Sequence, residues 1–81
     1  MKGLKIRSAT YGAGSQKADV TDAVRAAVDD LGLVIGVGNG SLTPGTDPAP
    51  NQPKVLHLRW QVGRKKFDQE WPEGAIVTIE A

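Results

Sequence analysis

The sequence predicts a mainly β domain of the α+β class, about five strands in a mostly antiparallel sheet or small sandwich with one short helix. Three observations carry this. From Val55 to Trp71, apolar and polar residues alternate on both sides of a Gly63-Arg64 turn, the pattern of a hairpin. Only the stretch from Val20 to Leu31 repeats apolar residues at three to four positions, the helical period. The strand-like runs lie in blocks without strand-helix-strand repetition, which favours antiparallel pairing.

Leu4 to Tyr11 reads as the first strand, with Leu4 and Ile6 on one side and Lys5 and Arg7 on the other. Gly12-Ala13-Gly14-Ser15 is a flexible turn into the helix, whose buried stripe is Val20, Val24, Ala27 or Val28, and Leu31. Asp19 or Thr21 caps the first turn, and Asp22 sits near the positive end of the helix dipole. Asp29 and Asp30 stand at the unfavourable end and Gly32 supplies the stop, so the helix is expected to fray there.

Gly32 to Gly38 holds Leu33, Val34, Ile35 and Val37 between glycines and reads as a second strand, partly buried on both faces. From Asn39 to Pro53 nothing is periodic; Pro44, Pro48, Pro50 and Pro53 with Gly40 and Gly45 make a long surface loop, and Asn39-Gly40 offers positive dihedrals for a turn. Structureless loops of about fifteen residues in compact domains are often functional or disordered, which makes Asn39, Asp47 and Asn51 candidate interaction residues.

The hairpin is the sharpest local signal. With glycine first in the Gly63-Arg64 turn, Val62 faces Lys65, Trp60 faces Phe67 and Leu56 faces Trp71 on one side. Arg59 then faces Asp68 and His57 faces Glu70 on the other, while Gln69 opposite Leu58 is the one mismatch. A slip of one residue would turn every side chain over, so the register is strongly specified. Leu56, Leu58, Trp60, Phe67 and Trp71 are expected together in a dry interior. Pro72 ends the strand, Glu73-Gly74 turns the chain, and Ala75 to Glu80 makes a last strand with Ile76, Val77 and Ile79.

Eighty-one residues are enough for one domain, 1–81, and too few for two cores. Ten Lys and Arg against nine Asp and Glu leave a net charge of +1, far from the field that drives nonspecific binding to nucleic-acid phosphates. With no cysteine, disulfides and thiolate metal sites are excluded. No apolar run approaches the ~18 residues of a membrane span, and the opening Met1 to Arg7 alternates charged with apolar residues, unlike a signal peptide. The chain is therefore expected to be soluble and cytoplasmic.

Ala9, Tyr11 and Gly12 at the end of the first strand, Asp19-Val20-Thr21 before Val24 and Val28, and Asp47-Pro48-Ala49-Pro50 before Lys54, Leu56 and Leu58 form an ordered set of short motifs. In order and spacing the set resembles the domain of unknown function at the C-terminus of DnaJ homologue subfamily C member 11, also found in bacterial proteins. The resemblance runs from Ile6 to Ile79. It departs from the family pattern at Thr46 and Asn51, where glycine is usual, so the loop is expected to turn differently. The resemblance implies an accessory, non-enzymatic domain. It transfers no catalytic residue, and no His-Pro-Asp signature is present to imply co-chaperone activity.

Sharper chemistries meet simpler explanations. Gly36-Val37-Gly38-Asn39-Gly40 suggests a dinucleotide fingerprint, but Ser41 replaces the third glycine and a proline-rich loop stands where a helix should start. Asn39-Gly40-Ser41 matches a glycosylation acceptor, which chance explains adequately. His57 is the only histidine, with no second titratable group tied to it by spacing, and Ser8, Ser15 and Ser41 lie in no nucleophile motif. Asp19, Asp22, Asp29, Asp30 and Asp47 lack the spacing of a calcium loop. Lys5, Arg7, Arg59, Arg64, Lys65 and Lys66 make a basic patch that Asp68, Glu70 and Glu73 are expected to neutralise.

These readings converge on a non-enzymatic protein-interaction or self-assembly module, with no catalytic residue, cofactor or metal site assigned. Its partner is another protein or a second copy of the chain; nucleic acid is not the expected partner. Lys2, Lys5 and Arg7 guard one candidate edge, whereas Gly32 to Gly38 carries no charge, which makes Val34 and Ile35 candidate contact residues. The alternative is a lectin-like carbohydrate or small-ligand domain using the 39–53 loop, with Trp60 and Trp71 as stacking platforms.

Overall fold

The computed structural model describes residues 3–43 and 48–80. The expected contact residue Asp47 and the edge-guarding Lys2 lie outside the described residues. The elements are β1 (Leu4–Ala13), β2 (Gln16–Asp19), α1 (Thr21–Ala26), β3 (Val28–Asp29), β4 (Gly32–Gly36), α2 (Asn39–Leu42), β5 (Val55–Val62), β6 (Lys65–Pro72) and β7 (Ile76–Glu80). The strands form two antiparallel sheets, ordered β2-β1-β5-β6 and β3-β4-β7. The class is the mainly β one that the sequence predicts, with more short elements than anticipated.

In β1, strict alternation from Ile6 would turn Ser8 and Thr10 inward. A β-bulge prevents this: Ile6 pairs with Trp60 and Ser8 with Arg59, leaving Arg7 as the extra residue. The phase shifts by one, so Ile6, Ala9 and Tyr11 are the buried side chains and Arg7 joins the outer face. The following turn leads into a strand rather than a helix. β2 folds back on β1 with Ala13 opposite Gln16 and Thr10 opposite Asp19. Gly12 is required there, because a Cβ would stand 2.1 Å from the Gln16 carbonyl oxygen.

The helix is shorter than its apolar period suggests. Neither Asp19 nor Thr21 caps it; Val20 occupies the N-cap position and makes no side-chain cap. Instead α1 seals the part of β1 that β2 leaves open. Val20 donates its N–H to the Ala9 carbonyl at 2.9 Å, Ala9 donates its own to the Thr21 hydroxyl at 3.0 Å, and Arg25 donates from Nε and Nη2 to the Ile6 carbonyl at 3.3 and 3.1 Å. The expected frayed end is a second hairpin, with Val28 opposite Leu33 and Asp29 opposite Gly32. The Asp29 carboxylate accepts the Leu31 N–H at 2.8 Å and Gly32 adopts φ 132°, so local turn chemistry overrides the helical period. Leu31, assigned to the helix stripe, is 81% exposed.

β4 is buried on one face only: Leu33 and Ile35 point inward while Val34 is 66% exposed. β7 pairs with β4 along its whole length, but β3 pairs with it only at Gly32 and Leu33, so β4 is interior there and no described strand lies on the other side of Val34 to Gly36. β2 covers β1 only from Thr10 to Ala13; along the stretch that carries Lys5 and Arg7 the side away from β5 meets Thr21 and Arg25 of α1 rather than a strand. The long loop is broken by α2, in which Leu42 donates to the Gly38 carbonyl at 3.0 Å and buries its side chain. Asn39-Gly40 is helical; the positive φ of 63° belongs to Asn51.

The β5–β6 hairpin keeps the expected register at every pair, from Val55 opposite Pro72 to Val62 opposite Lys65, with Gly63 at φ 61°. Leu56, Leu58 and Trp60 are buried as expected, but Phe67 is 40% exposed and Trp71 only half-buried. β6 is an edge strand whose inward side the narrower three-stranded sheet leaves largely in water. After β6 the chain changes sheets over three residues: Glu73 donates to the Lys54 carbonyl at 2.9 Å and Gly74, at φ 93°, to the Val37 carbonyl at 2.8 Å. One core results, drawing Tyr11, Leu56 and Leu58 from one sheet, Leu33 and Val77 from the other, and Val24 from α1. Among the described residues no helix is long and apolar enough to cross a membrane.

Candidate functional site

The residues singled out in the sequence do not converge. Val34 lies on the outer face of the three-stranded sheet, whereas Ile35, its neighbour, points into the core at 8% exposure. Asn39 accepts the Tyr11 hydroxyl through Oδ1 at 3.0 Å and thereby fixes α2 to β1. Asn51 is exposed at a tight turn of the loop. Trp60 and Trp71 do meet, with ring centroids 5.7 Å apart and planes tilted by 36°. Phe67 stacks on Trp60 at 5.2 Å and 14°, which makes a row of three rings whose outer members reach solvent.

Sequence reasoning missed the surface that adjoins Val34. Register places Val34 opposite Thr78 and Gly36 opposite Ile76, so Val34, Ile76 and Thr78 share the outer face, with Ile76 68% exposed. β7 is one of the two edges of that sheet, and no described strand pairs with its other side. Its sequence, Ile76-Val77-Thr78-Ile79-Glu80, has no proline and one charge. The signal was present in the sequence as an unbroken β-branched run, but whether a run is an edge depends on strand order.

The outer face of the four-stranded sheet is polar. His57, expected opposite Glu70, is paired with it in register but places Nε2 2.5 Å from Asp68 Oδ1 instead, while Arg59 Nε donates to Asp68 Oδ2 at 3.0 Å. The Asp68 carboxyl is held below its ordinary range, chiefly by the His57 hydrogen bond; desolvation opposes this, and the weaker pull of Arg59 adds to the lowering. Asp19 is lowered as well, by the Thr21 hydroxyl first, at 2.6 Å, and by the Thr21 N–H next, at 3.0 Å. Lys54, 4% exposed, is held by the Gln52 carbonyl at 3.0 Å and lies 3.6 Å from Glu73.

Two surface depressions flank the Arg7 bulge. One, of about 410 Å³, is lined by Arg7, Ser8, Asp19, Thr21, Asp22 and Arg25, so its cations and carboxylates balance. The other, of about 260 Å³, is lined by Arg7, Arg59, Lys66, Phe67 and Asp68, three cations against one carboxylate. Among the described residues no group of three or more His, Asp or Glu side chains stands together as a metal site. No family model matches the chain, and neither a curated protein nor a solved structure matches it.

Proposed function

We propose that this domain is a non-enzymatic self-assembly module that pairs the β7 edge with the same strand of a second copy. The supporting observation is the edge itself: Ile76–Glu80, four of whose five residues are β-branched, carries neither proline nor lysine and adjoins an exposed apolar face. Natural edges are ordinarily blunted by charge, proline or a bulge; β6, the corresponding edge of the other sheet, carries Lys65, Lys66, Asp68, Glu70 and Pro72. Strand addition to an open edge supplies main-chain hydrogen bonds, with side chains setting the register.

Self-pairing suits this strand. An antiparallel dyad centred on Thr78 places Val77 opposite Ile79 and Ile76 opposite Glu80 of the second copy, so the two glutamates do not face each other. The non-enzymatic part of the reading draws on the motifs of the family resemblance. Ala9 and Thr21 hold β1 to α1, Tyr11 ties β1 to α2, and Gly12 permits the β1–β2 approach, all of them tasks of the scaffold. Light scattering coupled to size exclusion tests the proposal: a dimer is expected at high concentration, and Thr78→Lys, which sets two ammonium groups face to face, should return it to monomer. A wild-type chain that stays monomeric at its solubility limit would end the proposal.

The row of Phe67, Trp60 and Trp71 supports a second reading, a carbohydrate-stacking surface, because two of its rings reach water. Tryptophan emission titrated with a sugar panel separates the two readings. A saturable shift lost in Trp71→Ala would favour stacking, and an invariant spectrum would remove it.

A further inference from the structure

The β-bulge gives the outer face of the four-stranded sheet a feature that neither proposed surface uses. Because Arg7 and Ser8 together oppose Arg59, the Arg7 side chain lies on the same face as Arg59 and Gln61. Each guanidinium is held from behind. Gln61 donates through Nε2 to the Gly63 carbonyl at 2.8 Å, which orients its Oε1 to accept Arg7 Nη1 at 3.0 Å. Asp68, held in turn by His57, accepts Arg59 through Nε at 3.0 Å. In both cases the hydrogen bonds use one edge of the fork and leave further N–H donors directed elsewhere. The two forks and Lys66 line the depression of about 260 Å³, where Asp68 is the only acidic side chain. Glu70 and Glu73, expected to neutralise this patch, lie farther along: Glu70 pairs with His57 in register, and Glu73 hydrogen-bonds near Lys54.

We propose that the cleft between Arg7, Arg59 and Lys66 binds a phosphate group, the dianionic oxyanion that two oriented guanidinium forks and an ammonium complement. Planar forks match phosphate oxygens bidentately, and forks already fixed by neighbours lose little freedom on binding. The excess of two positive charges in the lining corresponds to the charge of about −1.5 to −2 on a phosphate monoester near pH 7.

Titration of the full chain with inorganic phosphate, followed by amide and guanidinium NMR shifts, tests the proposal. Saturable shifts are expected at Arg7, Arg59, Gln61 and Lys66. Arg7→Gln should weaken binding at least about tenfold, as the loss of a charge-assisted contact does. Lys66→Gln, on the exposed edge strand, should also weaken it, which keeps the test valid if Arg7→Gln disturbs the bulge. Arg64→Gln removes an equal charge from the turn outside the cleft and should leave affinity within about twofold. A phosphoserine peptide that binds more tightly than inorganic phosphate would assign the group to a protein partner, and equal binding would assign it to a small phosphorylated compound. Absence of saturation, equal weakening by Arg64→Gln and Arg7→Gln, or oligonucleotide binding that grows with length and ignores Arg7→Gln would overturn the proposal.

Discussion

Thr21→Val tests the joint between α1 and β1. The Thr21 hydroxyl accepts the Ala9 N–H at 3.0 Å and donates to the Asp19 carboxylate at 2.6 Å. Ala9 is 1% exposed, so water cannot readily take the place of the hydroxyl. Valine keeps the shape and removes both bonds. An orphaned buried donor costs about 1–3 kcal/mol, a large part of the roughly 4–12 kcal/mol that a chain of this length has at ~0.05–0.15 kcal/mol per residue. At about 4–8 °C per kcal/mol for a domain of this size, the melting temperature should fall by roughly 4–24 °C. Thr21→Ser, which retains the oxygen, should recover most of the loss. Urea unfolding of the three proteins, with unchanged m-values, gives the comparison. A valine variant within about 0.5 kcal/mol of wild type, or a serine variant no better than valine, would refute the claim that this hydroxyl closes the edge of β1.

Other expectations concern packing and charge. Gly12→Ala should destabilise by about 1–3 kcal/mol or more, since its Cβ would meet backbone that cannot move away. Gly38→Ala, with open space around its Cβ, should stay within about 1 kcal/mol of wild type in the same urea assay. The Asp68 carboxyl is lowered in the folded state, so its contribution is present above the unfolded carboxyl value of about 3.9 and is lost as pH falls through the folded value. Asp68→Asn should therefore flatten the acid side of a stability-pH profile. An unchanged slope would mean that His57 and Arg59 do not hold the carboxylate in solution.

Where alternation on both arms agrees with the turn between them, the sequence was sufficient. The β5–β6 register follows from Gly63-Arg64 together with alternation on either side, and the structure reproduces each pair. Local signals also competed, and a competitor was easily missed. Val28 and Leu31 continued a helical period that the Asp29 turn and Gly32 interrupt, and Gln16–Asp19 lacks the apolar alternation that marks a strand. Its pairing comes from the turn that precedes it and from the approach that Gly12 allows.

By itself the chain's sequence determined its class, its one long hairpin and the burial of Val20, Val24, Leu56, Leu58 and Trp60, because periodicity and turn chemistry act over a few positions. Strand order was decided only in three dimensions. It set Gly32 and Leu33 between two strands and made Ile76–Glu80 an edge, and it left Phe67 partly in water beyond the narrower sheet. It also brought Arg7, from one end of the chain, beside Gln61 and Arg59. Such adjacency arises from packing between segments about fifty residues apart, where no local rule along the chain reports which neighbours will meet.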